Sequence, residues 1–159
     1  MMAMKEVIIY TDGGCRGNGQ EGPSLGAIGG VLLYPAANYR KEFKRAYRDT
    51  TNNQMELTAV IEALSMLKTP CDVTVHSDSA YVVNAFNQGW VDGWRAKGYH
   101  RGKAGELKNR ELWMRLDELT QRHRVRFVKV KGHSDDALNA RADALVNEAM
   151  DEAEQADGV

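Results

Sequence analysis

The chain has 159 residues, with 21 Lys and Arg against 22 Asp and Glu and a net charge of −1. This suits one compact domain with a real core and excludes nucleic-acid binding through global charge, so any basic surface must be local. Cys15 and Cys71 form no C-x-x-C pair, which argues against structural zinc or a disulfide framework; with no apolar leader in Met1–Glu6 and no bilayer-length segment, the cytoplasm is the expected location.

Val7-Ile8-Ile9-Tyr10-Thr11-Asp12 reads as a buried central strand that stops at a carboxylate followed by Gly13 and Gly14. A second strand is predicted over residues 26–34, broken by Gly29-Gly30, and Pro35-Ala36-Ala37-Asn38 is a turn. Residues 39–47 alternate in part, as an edge strand should, and the short links make the first three strands an antiparallel meander. Thr51-Asn52-Asn53 opens a helix whose stripe is Leu57, Val60, Ile61, Leu64 and Leu67, ended by Thr69-Pro70. Cys71 is a small core residue before the next strand, Val73 to Ser77, which ends at Asp78; the helical crossover lets that strand lie parallel to the first. A short helix over 79–88 closes at Gly89. From Trp90 to Gly105, aromatic and basic residues interleave with glycines. A helix over about 108–123, a strand over 126–130, a loop over 131–136 and a last helix with Ala140, Ala144, Leu145 and Ala149 follow; the acidic tail from Asp151 is expected to fray. The order βββαβααβα describes one α/β domain with a mixed five-stranded sheet flanked by helices.

Ligands of open sheets with parallel strands sit beyond the carboxyl ends of those strands, where Asp12 and Asp78 would face one another. Each alone has an ordinary explanation: Asp12 as a turn residue, Asp78 as the cap of the next helix. Together they would raise each other's pKa unless a cation neutralised them. Glu56 lies in a helical first turn, where Asn53-x-x-Glu56 has capping-box spacing. Asp143 falls beside alanines on a helix face expected to be largely buried, its alternative being an exposed residue paired with Arg141. Carboxylates without Cys or His ligands select a hard cation, Mg²⁺ or Mn²⁺, and such sites commonly hold two ions. His133 lies in a polar loop and could shuttle protons. No P-loop is present. Gly17-Asn18-Gly19-Gln20-Glu21-Gly22 matches G-x-G-x-x-G, but a strand follows it where dinucleotide binding needs a helix. The stretch from Trp90 to Lys103 is the local candidate for a nucleic-acid surface, its alternative being a loop anchored by its tryptophans.

Four separated motifs carry a family resemblance: Thr11-Asp12-Gly13-Gly14-Cys15-x-Gly17-Asn18, Thr50-Thr51-Asn52-Asn53-x-Met55-Glu56-Leu57, Ser77-Asp78-Ser79-x-Tyr81-Val82, and Val130-Lys131-Gly132-His133 with Asn139 and Asp143. Over residues 5–150 the sequence closely resembles bacterial ribonuclease H type 1. The resemblance implies an endonuclease that cleaves the RNA strand of RNA–DNA hybrids, leaving 5′-phosphate and 3′-hydroxyl ends, as a monomer without an obligate protein partner. It implies Asp12, Glu56, Asp78 and Asp143 as carboxylates binding two Mg²⁺, with Mn²⁺ the alternative, and His133 as a mobile loop histidine. Cys15, Asn18, Asn52, Asn53 and Gln54 fall where relatives contact the minor groove and ribose 2′-hydroxyls, and Thr51 and Asn109 where they grip a DNA phosphate. Trp90, Trp94, Arg95, Lys97, Arg101 and Lys103 resemble the family's basic handle. Ala80, Asp49 beside Arg48, the long 18–26 loop and Asp135-Asp136 depart from the family pattern without touching the carboxylates. An integrase-like nuclease is disfavoured by Asn52-Asn53 and the handle, an actin- or hexokinase-like ATPase by chain length, and a non-catalytic module by the full carboxylate set.

Overall fold

The structure, a computed structural model, describes residues 4–17, 24–100, 105–131 and 136–157. Five strands, β1 (Lys5–Arg16), β2 (Leu25–Tyr34), β3 (Tyr39–Arg48), β4 (Cys71–Ser77) and β5 (Arg124–Lys129), form one sheet in the order β3-β2-β1-β4-β5. The pairs β1–β2 and β2–β3 are antiparallel, and β1–β4 and β4–β5 are parallel, so the expected mixed sheet is present. The helices are α1 (Asn52–Ser65), α2 (Ala80–Asn87), α3 (Trp90–Ala96), α4 (Arg110–Arg122) and α5 (Ala137–Asp157).

Three local readings change. The first strand does not stop at Asp12: β1 runs on to Arg16, paired with β2 through Arg16↔Leu25, while its pairing with β4 ends at Tyr10↔His76. Nor do Gly29 and Gly30 break β2, since both keep their ladder partners, Asp12 and Thr11. The acidic tail continues α5 to Asp157. Arg16 pairs with Asp151 at 2.7 Å and Glu154 at 3.2 Å, and Lys44 with Glu152 at 2.6 Å, so these acids hold the helix to the sheet. One helix, α3, is additional to the predicted order.

The main core lies on the α1 side of the sheet, where Ile9, Val73 and Val75 meet Leu57, Val60 and Leu64. Ile61 and Leu67 are only partly buried against it, and Cys71 is buried, as a core residue should be. On the other side α5 covers Leu25 and Ala27 with Val146, Ala149 and Met150. Burying a Leu or Val side chain stabilises by about 1.5–3 kcal/mol, so these faces fix where α1 and α5 sit.

Candidate active site

Two glycines set the distances at the site. A Cβ on Gly13 would lie 2.4 Å from the Met55 carbonyl carbon and 2.7 Å from the Glu56 nitrogen, so only glycine lets α1 close on β1 here. The Gly13 amide then donates to Glu56 Oε1 at 2.8 Å. A Cβ on Gly29 would lie 2.8 Å from the Ala142 carbonyl oxygen, so the same device admits α5 on the other side of the sheet, one residue before Asp143.

Asp12, Glu56 and Asp78 each offer a carboxylate oxygen within 4.8 Å of the others. Asp12 and Glu56 are both 8% exposed, while Asp78 is half-buried. The ordinary alternatives for Glu56 and Asp78 fail. The capping box of α1 is formed by Thr51 and Gln54, leaving Asn53 out, and Ser79 caps α2 by accepting from the Val82 amide. Burial, then the charge of Asp78, then that of Asp143, raise the Asp12 pKa to about 7, against a lowering hydrogen bond with Glu56. Burial and the charges of Asp12 and Asp78 push Glu56 well above the usual carboxylate range. An oxygen-only donor set that resists full ionisation fits a hard divalent cation.

Asp143 corrects an expectation. It is exposed rather than buried, because the buried side of α5 is formed by Ala142, Leu145, Val146, Ala149 and Met150. It is not one of the three carboxylates grouped within 4.8 Å, but it lies near enough to Asp12 to raise that residue's pKa. Arg141, its suggested partner, instead pairs with Glu42 at 2.9 Å and Glu148 at 3.1 Å.

The other candidates divide into two groups. Around the N-terminus of α1, Asn52 Oδ1 accepts from the Cys15 amide at 2.8 Å, and Gln54 Nε2 donates to Asn109 Oδ1 at 3.3 Å. Thr51, Asn52 and Asn53 are exposed there, and Asn109 precedes α4 with a left-handed φ of 60°. A groove of about 480 Å³ runs past Gln54 and Asn109. At the handle, Trp90 is 45% exposed, Lys97 is exposed, and Trp94 meets Trp113 edge-on at 5.0 Å. Arg95 is bound to Asp117. Asn18, Arg101, Lys103 and His133 lie outside the described residues.

Sequence reasoning assigned no role to Ser77, whose fully buried hydroxyl donates to Glu56 Oε2 at 3.4 Å. Its place just before Asp78, inside the Ser77-Asp78-Ser79 motif, was the available signal. Arg110 was also missed; it lines the groove with its Nε buried and without a hydrogen-bond partner among the described residues. Asp136, a departure from the family pattern, accepts from the Tyr10 hydroxyl at 3.1 Å and from the Leu138 amide at 3.0 Å, so it caps α5.

The RNase H family model matches residues 4–151. The chain is 58% identical over 149 residues to Ribonuclease H of Clostridium botulinum, covering 94% of this chain and 98% of that one. It is 50% identical over 147 residues to Ribonuclease H of Acetivibrio thermocellus, covering 92% and 96%. Among solved structures it is similar to LC9-RNase H1, a type 1 enzyme with the type 2 active-site motif, with TM-score 0.83, 31% identity and coverage of 96% and 75%. It is also similar to LC11-RNase H1, solved in complex with an RNA/DNA hybrid, with TM-score 0.68, 31% identity and coverage of 93% and 99%. With the carboxylate cluster formed where β1 and β4 stop pairing, beside α1, these likenesses make the chain a member of the ribonuclease H family.

Proposed function

We propose that this single-domain chain is an endonuclease that hydrolyses the RNA strand of RNA–DNA hybrids with two divalent cations, leaving 5′-phosphate and 3′-hydroxyl ends. The observation that carries the reading is the convergence of Asp12 from β1, Glu56 from α1 and Asp78 from the link after β4 to within 4.8 Å. Their donor chemistry fits Mg²⁺, with Mn²⁺ the alternative. When bound, such a pair activates water and stabilises the leaving oxygen of an in-line displacement at phosphate.

The residues divide the remaining work. Asp12 and Asp78 hold cation, Glu56 holds one ion and orients the strand near a ribose 2′-hydroxyl, and Asp143 completes the second set. Ser77 and the Gly13 amide keep Glu56 in place through the bonds described above. His133 moves a proton or helps product leave. Cys15, Asn18, Asn52, Asn53 and Gln54 contact the minor groove, where 2′-hydroxyls distinguish RNA from DNA. Thr51 and Asn109 grip a DNA phosphate beside the groove, and Trp90, Trp94, Lys97, Arg101 and Lys103 take the backbone further along. All four carboxylates come from one chain, which supports a monomer. Among the described residues no helix is long and apolar enough to cross a membrane, and the cytoplasm is the proposed location.

The test is cleavage of a labelled RNA–DNA hybrid beside RNA–RNA and DNA–DNA duplexes, with Mg²⁺ or with EDTA. The expected result is cleavage of the hybrid's RNA strand alone, dependent on Mg²⁺, with 5′-phosphate ends. Equal cleavage of all three duplexes, or cleavage in EDTA, would overturn the reading.

A further inference from the structure

The charge pattern of the handle makes Arg95 look like a phosphate contact. The geometry points elsewhere: we propose that Arg95 is a positioning residue, locked with Tyr99 onto Asp117 of α4, that fixes how the handle leaves the body. This rests on the handle being a hybrid-binding surface, as proposed above.

Arg95 Nε donates to Asp117 Oδ2 at 2.8 Å and Nη2 to Oδ1 at 2.7 Å, a two-pronged fork. Nη2 also reaches Asp92 Oδ1 at 3.0 Å. The Asp117 side chain is 5% exposed, accepts the Tyr99 hydroxyl as well, and has Gln121 Nε2 at 3.5 Å. Removing the cation from so buried a carboxylate is strongly unfavourable, so the guanidinium is not free to swing onto a phosphate.

The backbone delivers Tyr99 to the same acid. The Tyr99 amide donates to the Trp94 carbonyl at 2.7 Å and the Gly98 amide to that of Arg95 at 3.1 Å, with Gly98 at φ 63°. This is the Schellman end of α3, with Lys97 as its C-cap, and it folds Tyr99 back onto the body. His100 then bridges to Glu106, which ties the Tyr99 turn to the approach to α4. Trp94 packed on Trp113 supplies the apolar half of the anchor, and the Arg95–Asp117–Tyr99 cluster supplies the polar half.

The experiment compares Arg95→Lys, Asp117→Asn and their double variant with wild type, reading KM and kcat on the hybrid at several salt concentrations. Circular dichroism checks that each variant folds. Lysine keeps the charge and loses the fork. For a positioning residue, Arg95→Lys and Asp117→Asn each raise KM by roughly three- to tenfold with kcat held, and the double variant is no worse than either, as expected for one shared interaction. For a phosphate contact, Arg95→Lys keeps KM near wild type, and Asp117→Asn releases the guanidinium and lowers KM. Either of those results overturns the proposal. A triple alanine variant at Lys97, Arg101 and Lys103 separates the two readings. If its KM and salt dependence match wild type, the handle reading falls and the positioning role falls with it. If its KM rises while Arg95→Lys behaves as wild type, the positioning role alone is wrong.

Discussion

Asp12 and Gly29 are partners across the β1–β2 ladder, and the side chain that Gly29 lacks is what admits α5 at the level of Asp12. Gly13, the residue of β1 after Asp12, does the same for α1, so neighbouring positions on two paired strands bring in helices from both faces. The carboxylates of Glu56 and Asp143 reach Asp12 because backbone, not side chain, occupies those two positions.

Gly13→Ala and Gly29→Ala should therefore each destabilise the fold by about 1–3 kcal/mol, the usual cost of overpacking, because both added methyl groups meet backbone atoms. Both should also lose hybrid cleavage beyond what unfolding explains, the first by displacing Glu56 and the second by displacing Asp143. Urea unfolding and kcat on folded protein check this. Wild-type stability in either variant would mean that its helix can move away without cost.

The carboxylate cluster makes metal-free stability depend on pH. The folded-state pKa of Asp12 is raised from 3.8 to about 7, so ionisation is harder in the folded protein than in the unfolded chain. The resulting destabilisation is absent below the unfolded pKa, grows as pH rises, and is complete above about 7, where it reaches on the order of 4 kcal/mol at most. Asp12→Asn should melt higher than wild type in EDTA at pH 8, with a smaller gap at pH 5, and should not cleave hybrid. Asp78→Asn should also fold without cleaving. Mg²⁺ should raise the wild-type melting point more at pH 8 than at pH 5. Loss of folding in both Asn variants, or retained cleavage in either, would make these aspartates structural.

Asp12 and Asp78 were legible in the sequence because each follows an apolar β run, and the parallel crossover puts such ends together. Asp143 was legible as a residue but not as an environment. Alanine lies on both the exposed and buried sides of α5, at Ala140 and Ala142, so apolar spacing does not mark its face. The seven residues of α3 are too few for a stripe to declare itself, and only Val91 among them is buried. Arg95 reads as one more handle cation because Asp117 lies 22 residues away, on a helix whose angle no local pattern gives. The close approaches at Gly13 and Gly29 depend on helix positions that follow from the whole core, whereas the sequence suggests a strand end at the first and a strand break at the second.

His133→Ala should slow turnover by roughly ten- to a hundredfold, at the low end of proton-transfer contributions, and leave KM nearly unchanged. The carboxylates keep their geometry in this variant, so the nucleophile can still be generated. Single-turnover cleavage beside steady-state kcat separates chemistry from product release. A variant as inactive as Asp12→Asn would make His133 a metal ligand or an essential base.

The handle should contribute affinity without selectivity. Lys97 caps α3 at its C-terminus and is exposed, in a segment whose other cations, Arg101 and Lys103, follow the Tyr99 turn in sequence. If each meets a backbone phosphate, replacing all three with alanine removes about three contacts, each worth about one unit of slope in log KM against log salt. KM should rise and its salt dependence flatten, while kcat and the preference for hybrid over duplex RNA or DNA stay near wild type, because phosphate contacts position and do not specify. Trp94→Ala should differ in kind. Its ring packs against Trp113 at 5.0 Å, so its loss should lower the melting temperature as well as raise KM. KM for one hybrid across a salt series, measured for wild type, the triple variant and Trp94→Ala, separates the two effects. An unchanged slope in the triple variant would mean that these cations face only solvent and that the backbone is gripped elsewhere.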